Sequence, residues 1–312
     1  MKKKYILFSL FVILLFIGGC KKATESKAAI GAYVGGDEGL DLSFVEDEPP
    51  ERVLDADSEQ FFITLLLKNE GEFDIDVGET RITLSGIEKN QFQIGSLTET
   101  NKNFINGLEK KREDTLPGGQ DEISYTAKYK PDLNQDFTPT VTASACYAYG
   151  TRTLTKLCLR KDIARRSREA ECTVDEHKTI ENSGAPIQVT SLNEMKGGSN
   201  KIRVIFNIEN VGEGTVYEKG SFSSGSCSED MSKEDRLNVE IRPVSSINFK
   251  CARLGGGASG VIKLNTEGKA VVTCEADTSR LQDTAFEDPL NINLDYVYKE
   301  RISKALTVED AV

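Results

Sequence analysis

No tryptophan occurs in this chain, and His177 is its one histidine. The first shortage weakens a carbohydrate-binding reading, because sugar-binding sandwiches lean on exposed aromatic rings, Trp above all. The second restricts any Ser/His/Asp triad to His177, whose neighbours Asp175, Glu176 and Lys178 mark an exposed, charged stretch. Gly256-Gly257-Ala258-Ser259-Gly260 fails as a nucleophile elbow. That motif needs glycine where Val261 stands, and a strand-to-helix turn around it. Phosphate loops and dinucleotide fingerprints are missing as well. The two nearest cysteines, Cys146 and Cys158, are 12 positions apart. No CxxC pair therefore exists for redox chemistry or zinc. Asp74-Ile75-Asp76-Val77-Gly78-Glu79 starts as a calcium loop would, but its glycine stands fifth, not sixth. It reads better as a strand with its acids outward. The acidic groups Asp37-Glu38 and Glu46-Asp47-Glu48 read first as solvated loops and only second as calcium ligands. Carboxylates abound, yet none is singled out as a pair for glycoside hydrolysis. The expectation is a protein with no catalytic residues, no metal and no cofactor.

What is present begins at the N-terminus. Lys2, Lys3 and Lys4 form a basic head, Tyr5 to Ile17 is almost wholly apolar, and Gly18-Gly19-Cys20 follows. A basic head, a short apolar run and small residues before a cut define a secretory signal peptide. The run falls short of the ~20 residues of a comfortable membrane span. Ile17-Gly18-Gly19-Cys20 resembles the lipobox of prokaryotic lipoproteins. The resemblance implies that residues 1–19 are removed and that Cys20 is lipidated as the new N-terminus; left uncleaved, residues 5–19 would serve as a short apolar anchor instead. It places the protein at the cell membrane, facing the extracytoplasmic side. The mature chain would have 293 residues (312 minus 19) and a net charge of −14 (36 Lys and Arg against 50 Asp and Glu). Such a charge argues against nucleic acid as a partner and suits a body held off the membrane. Residues 20–36 are small and polar and read as a flexible tether.

Six cysteines remain besides Cys20: Cys146, Cys158, Cys172, Cys227, Cys251 and Cys274. An even set in an exported protein reads as disulfides, with 15 possible connectivities. A hairpin centred near Arg152 would set Cys146 opposite Cys158, the pairing expected first. Cys251 with Cys274, and then Cys172 with Cys227, would follow.

Helix-period apolar stripes are scarce, while period-2 alternation recurs, as in Phe61–Leu67 and Ile202–Ile208. An internal repeat organises these strands. Residues 137–159 match residues 286–308 at a constant offset of 149. The match includes Tyr147 with Tyr296, Tyr149 with Tyr298 and Arg152 with Arg301. Upstream, Lys68-Asn69-Glu70-Gly71-Glu72 matches Glu209-Asn210-Val211-Gly212-Glu213 at offset 141. In each copy the Asn-x-Gly-Glu follows an alternating strand, where Asn and Gly suit a chain reversal through positive φ. The Tyr-x-Tyr pairs put two rings on one strand face, as if in the closing hairpin of a sandwich. The expected fold is therefore all-β. It comprises two tandem immunoglobulin-like sandwiches at 37–160 and 184–312, joined by a linker at 161–183. The basic island Arg160 to Glu169 reads as a solvated part of that linker before it reads as a contact for lipid headgroups or an acidic partner.

An alternating strand followed by Asn-x-Gly-Glu resembles the cell-adhesion-related (CARDB-like) immunoglobulin-like modules of archaeal and bacterial surface proteins. The resemblance implies a sandwich used for adhesion, spacing or binding, with no catalytic residue to transfer. The functional expectation is a non-catalytic, membrane-anchored surface protein that meets envelope protein partners by edge-strand contact. A ligand- or glycan-binding accessory lipoprotein is the alternative, and a hydrolase comes third.

Overall fold

The computed structural model describes residues 31–112, 114–163, 172–223, 226–227, 230–243, 245 and 247–311. The expected signal peptide, Cys20 and most of the basic island lie outside them. The first half supplies β1 (Leu40–Phe44), β2 (Arg52–Leu54), β3 (Phe61–Asn69), β4 (Thr80–Ser85), β5 (Thr98–Thr100), β6 (Glu109–Lys111), β7 (Asp114–Leu116), β8 (Gln120–Ala127) and β9 (Thr140–Leu159). The second supplies β10 (Glu176–His177), β11 (Ile180–Asn182), β12 (Ile187–Gly198), β13 (Lys201–Asn210), β14 (Thr215–Glu218), β15 (Phe222–Ser223), β16 (Ser226–Cys227), β17 (Arg236–Pro243), β18 (Phe249–Cys251), β19 (Ser259–Lys263), β20 (Lys269–Asp277), β21 (Phe286–Ala305) and β22 (Thr307–Glu309). The alternation in sequence becomes alternation in burial. Along β8, Asp121, Ile123, Tyr125 and Ala127 point inward while Gln120, Glu122, Ser124 and Thr126 face water. Ile63, Leu65 and Leu67 of β3 are wholly buried, each stabilising the fold by about 2 kcal/mol. No described helix is long and apolar enough to cross a membrane.

The fold is all-β and sandwich-like, as the sequence predicts, but the halves join in an unexpected way. β9 and β21 are single strands of 20 residues, and each lies antiparallel to the other along its whole length. Paired residue numbers sum to 445 throughout, from Phe286 with Leu159 to Ala305 with Thr140. Combined with the offset of 149, this register makes the repeat a pseudo-twofold whose axis passes between Ala148 and Val297. One long sheet results, ordered β19-β17-β21-β9-β4-β5, the same sequence of roles read from either end. The sheet β1-β3-β8 covers its first half, and β10-β12-β13-β20-β18 covers its second. The closing hairpins expected near Arg152 and Arg301 do not exist. Gly150, Thr151 and Arg152 pair in the strand with Asp295, Leu294 and Asn293. Gly150 serves close packing there, since a Cβ would lie 2.8 Å from the Phe73 ring.

The continuous strand also corrects the disulfides. Cys146 and Cys158 sit 12 residues apart on β9, roughly 40 Å at about 3.3 Å per residue, far beyond a bridge. Cys146 instead joins Cys227, and Cys158 joins Cys172, with Cα separations of 6.4 and 5.6 Å. The expected Cys172–Cys227 pairing falls with the hairpin. Cys251–Cys274 forms as expected, from residues directly opposed on β18 and β20.

Candidate functional site

Four tyrosines stand at the pseudo-twofold axis. The register places Tyr147 beside Tyr298 and Tyr149 beside Tyr296, and all four rings are buried. Their centroids lie 5.6 to 6.4 Å apart in edge-on or tilted pairs, the arrangement that ring quadrupoles favour. Each outer hydroxyl meets the Asn-x-Gly-Glu turn of its own half. Tyr149 donates to Asn69 Oδ1 at 2.9 Å, and Tyr298 donates to Asn210 Oδ1 at 3.1 Å. The two asparagines then donate through Nδ2 to the carbonyl four residues on, Phe73 at 2.7 Å and Gly214 at 2.8 Å. Gly71 and Gly212 are not positive-φ residues, against the sequence reading. Glycine is required because a Cβ would meet the tyrosine hydroxyl, at 2.1 Å from Tyr149 Oη and 2.6 Å from Tyr298 Oη.

The two halves differ where a peripheral strand closes the gap between sheets. In the second half, residues 176–182 fill the space between β12 and β9. β10 pairs with the outer edge of β12, and β11 pairs with the outer edge of β9. Lys178 lies buried in this plug, with its ammonium 2.7 Å from the fully buried Glu194 carboxylate and 2.6 Å from Glu176. Burial pushes Glu194 up to about 7 against the pull of Lys178. Ser183 follows, donating its N–H to Arg152 O at 2.8 Å and accepting from Arg152 N–H on its Oγ at 2.9 Å.

Among the described residues, nothing fills the equivalent space in the first half, between β1 and β21. β1 pairs only with β3, and β21 has no outer strand partner beyond Lys299 among the described residues. By the repeat, the counterpart of the plug is the stretch just before β1. Residues 31–36, read from sequence as the end of a flexible tether, go elsewhere. Val34 and Gly35 donate their N–H groups to Glu72 at 2.9 Å, and Ala32 donates to Glu181. Between β1 and β21 a cavity of about 650 Å³ remains, lined by Glu38, Asp41, Glu213, Tyr217, Glu300 and Arg301 among others.

Glu300 is the chemically distinctive group here. It continues the inward series Ile292, Leu294, Tyr296, Tyr298 on β21, so its carboxyl enters the sandwich. Its counterpart by the 149 offset is Thr151, whose hydroxyl is satisfied by Ile187 O and Tyr296 Oη. Glu300 neighbours the Tyr147 hydroxyl, while its buried Oε1 has no hydrogen-bond partner among the described residues. Burial, partly offset by Tyr147 and reinforced by Asp41 and Glu38, pushes its pKa up to about 8. Glu38 is also raised, by burial and then by its acidic neighbours Asp37, Asp41, Glu213 and Glu70. Between the ordinary value near 4.5 and about 8, the folded state holds a proton on Glu300 that the unfolded chain releases. Stability therefore falls as pH rises through that window. Glu300→Gln is expected to flatten the fall in urea melts run at pH 5 and pH 9. An unchanged slope would refute this role.

The other singled-out residues are dispersed. His177 is exposed on β10, 3.0 Å from Asn193 Oδ1. Ser259 starts the exposed edge strand β19. Asp74 accepts the Gly107 N–H at 2.8 Å, and Arg160 donates to Ile163 O at 3.2 Å. Asp37 and Glu38, read as solvated loop, line the cavity. Asp55, Asp132 and Asp310 bring carboxylate oxygens within 4.8 Å of one another. Asp55 there accepts N–H bonds from Leu133 at 2.5 Å and Ala311 at 2.9 Å, which ties down the C-terminal segment. Sequence reasoning missed Glu300. The available signal was a carboxylate at an inward position of an alternating strand. No protein-family model matches this chain, and no curated protein matches it.

Proposed function

We propose that this is a non-catalytic, membrane-anchored cell-surface protein that presents a rigid β-body to an envelope protein partner. The observation that carries this reading is the open pair of strand edges between β1 and β21, whose pseudo-twofold mate is closed by β10 and β11. An open edge offers a row of backbone donors and acceptors for strand addition. The anchor rests on the apolar run before Cys20, the lipobox resemblance and the acidic mature chain. The resemblance to CARDB-like modules points the same way, towards adhesion or spacing. The six paired cysteines fit an oxidising, exported setting.

A second reading, a ligand- or glycan-binding accessory lipoprotein, is favoured by the cavity itself, which is of ligand-pocket size. Affinity capture from detergent-solubilised envelope separates the two. Recovery of one stoichiometric protein partner supports the first reading, and glycan-array binding without a protein partner overturns it. Fatty-acid labelling of the wild type, lost in Cys20→Ser, is the expected result for the anchor. Labelling retained in that variant would remove the anchor from Cys20.

A further inference from the structure

We infer that the slot between β1 and β21 is a strand-acceptor site. It takes an extended peptide carrying a lysine whose ammonium meets Glu300. The inference rests on the reading of this protein as one that recruits partners by edge contact, and adds the site and the chemistry of the occupant.

The molecule contains its own precedent. Across the pseudo-twofold axis the same gap is filled by an extended segment of this chain, and that segment carries Lys178 onto the buried Glu194. In the open slot the Glu300 carboxyl group forms no ion pair among the described residues, although Lys299 and Arg301 flank it on β21. Glu300 Oε1 is buried with no partner among the described residues, and a buried acceptor left so is costly unless something supplies a donor. The carboxylates of Glu38, Asp41 and Glu213 around the cavity add charge complementary to a basic strand.

Backbone geometry also suits addition. Leu306 and Val308 donate their N–H groups toward the β9 side, to Pro139 and Phe137. Strand alternation then turns the N–H and C=O of Arg301, Ser303 and Ala305 to the open edge. Arg152, the counterpart of Arg301, uses the same groups on Ser183 in the filled slot. Lysine suits the cavity better than a neutral side chain. An ammonium supplies up to three donors to a site whose nearest groups are Glu38 and Asp41 from the β1 side, Tyr147 from β9, and Glu213 and Tyr217 from the turn and β14. Tyr298, Lys299 and Arg301 flank Glu300 on its own strand.

The test uses the full-length protein in detergent micelles and a capped peptide, Thr-Val-Thr-Lys-Thr-Val-Thr, which puts valine and lysine on one face. Titration calorimetry at pH 6 and pH 9 is expected to show tighter binding at pH 9, where Glu300 is ionised and lysine still charged. Replacing the lysine with norleucine, or Glu300→Gln, should each weaken binding at pH 9 about tenfold, the scale of one lost charge-assisted bond. Ser303→Pro, which removes an edge donor, should weaken it at least as much. Hydrogen exchange should show slowed amides at Arg301, Ser303 and Ala305 on peptide addition. Equal binding of the lysine and norleucine peptides, or protection that avoids residues 301–305, would overturn the inference. Capture of a protein partner by a variant that cannot bind the peptide would sink the slot and leave the surface-protein reading standing. Peptide binding without any envelope partner would do the reverse.

Discussion

Gly71→Ala is expected to destabilise the protein by about 3 kcal/mol, the upper range for overpacking a core position. A Cβ there would lie 2.1 Å from Tyr149 Oη and 2.6 Å from the carbonyl oxygens of Glu38 and Gly184. Two of those three obstacles are backbone and cannot rotate away. The third holds the hydroxyl that Asn69 needs, so relief by moving Tyr149 loses a buried hydrogen bond. Gly212→Ala should cost less. Of its closest obstacles only the ring-locked Pro186 Cβ, at 2.7 Å, is fixed, whereas Tyr298 Oη, at 2.6 Å, can move with its ring. Urea melts read the difference directly. Tyr149→Phe deletes the nearest clashing atom, so the double variant should recover part of the Gly71→Ala loss. Wild-type stability in Gly71→Ala, or no coupling between the two changes, would show that the hydroxyl does not set the residue at 71.

The same turn shows how much of the fold could be read from the chain. Asn-x-Gly-Glu was recognisable twice because its chemistry is local. An asparagine side chain satisfies the carbonyl four residues on, and this needs no knowledge of the rest of the fold. The reason for glycine was not recognisable, because the atom that excludes a side chain comes from a tyrosine nearly 80 residues away in the first half, Gly71 against Tyr149. Period-2 alternation located β3 and β13. The break placed at Arg152, midway between Cys146 and Cys158 and just after Gly150, failed because the strand runs straight through it. What overrides local composition is the partner strand, and β9 and β21 supply each other over 20 residues. A repeat read along the sequence implies similarity, but it says nothing about whether the copies pair. Pairing depends on the pseudo-twofold geometry, which exists only in three dimensions.

The candidate site was legible in its parts and hidden in its assembly. Glu300 follows Tyr298 at the inward parity of the strand, and Asp37-Glu38 precedes β1, yet nothing local says that these meet across a gap. The gap arises because one copy of the repeat has a plug and the other does not. Lys178 and Glu194 were invisible as a pair for the same reason, since β10 had to add to β12 before they could touch. Neither tether nor linker composition carries that information.

Removing Cys251–Cys274 by alanine at both positions is expected to be the most destabilising of the three disulfide deletions, at about 4–5 kcal/mol. Loop length alone predicts otherwise. A closed loop of 81 residues, as for Cys146–Cys227, gives roughly 4.5 kcal/mol, against roughly 3.4 for 23 residues and 3 for 14. That estimate counts only the unfolded chain. Cys227 lies on β16, which with β15 forms a separate two-stranded sheet, so cutting its bridge lets that hairpin loosen in the folded protein too. The folded state then regains part of the entropy, and the net loss should drop to about 3 kcal/mol. Cys251 and Cys274 have no such freedom. They are opposed on paired strands and almost wholly buried, at 0% and 1% exposure. Alanine at both sites adds a cavity in the core worth roughly 1 kcal/mol or more. Parallel urea melts of the three double variants give the order. If Cys146→Ala/Cys227→Ala is the least stable, then loop length governs and the β15–β16 hairpin is held by more than its bridge. If Cys251→Ala/Cys274→Ala is, then the core sets the order, and the long loop behaves as a clip on the outer face of the central sheet.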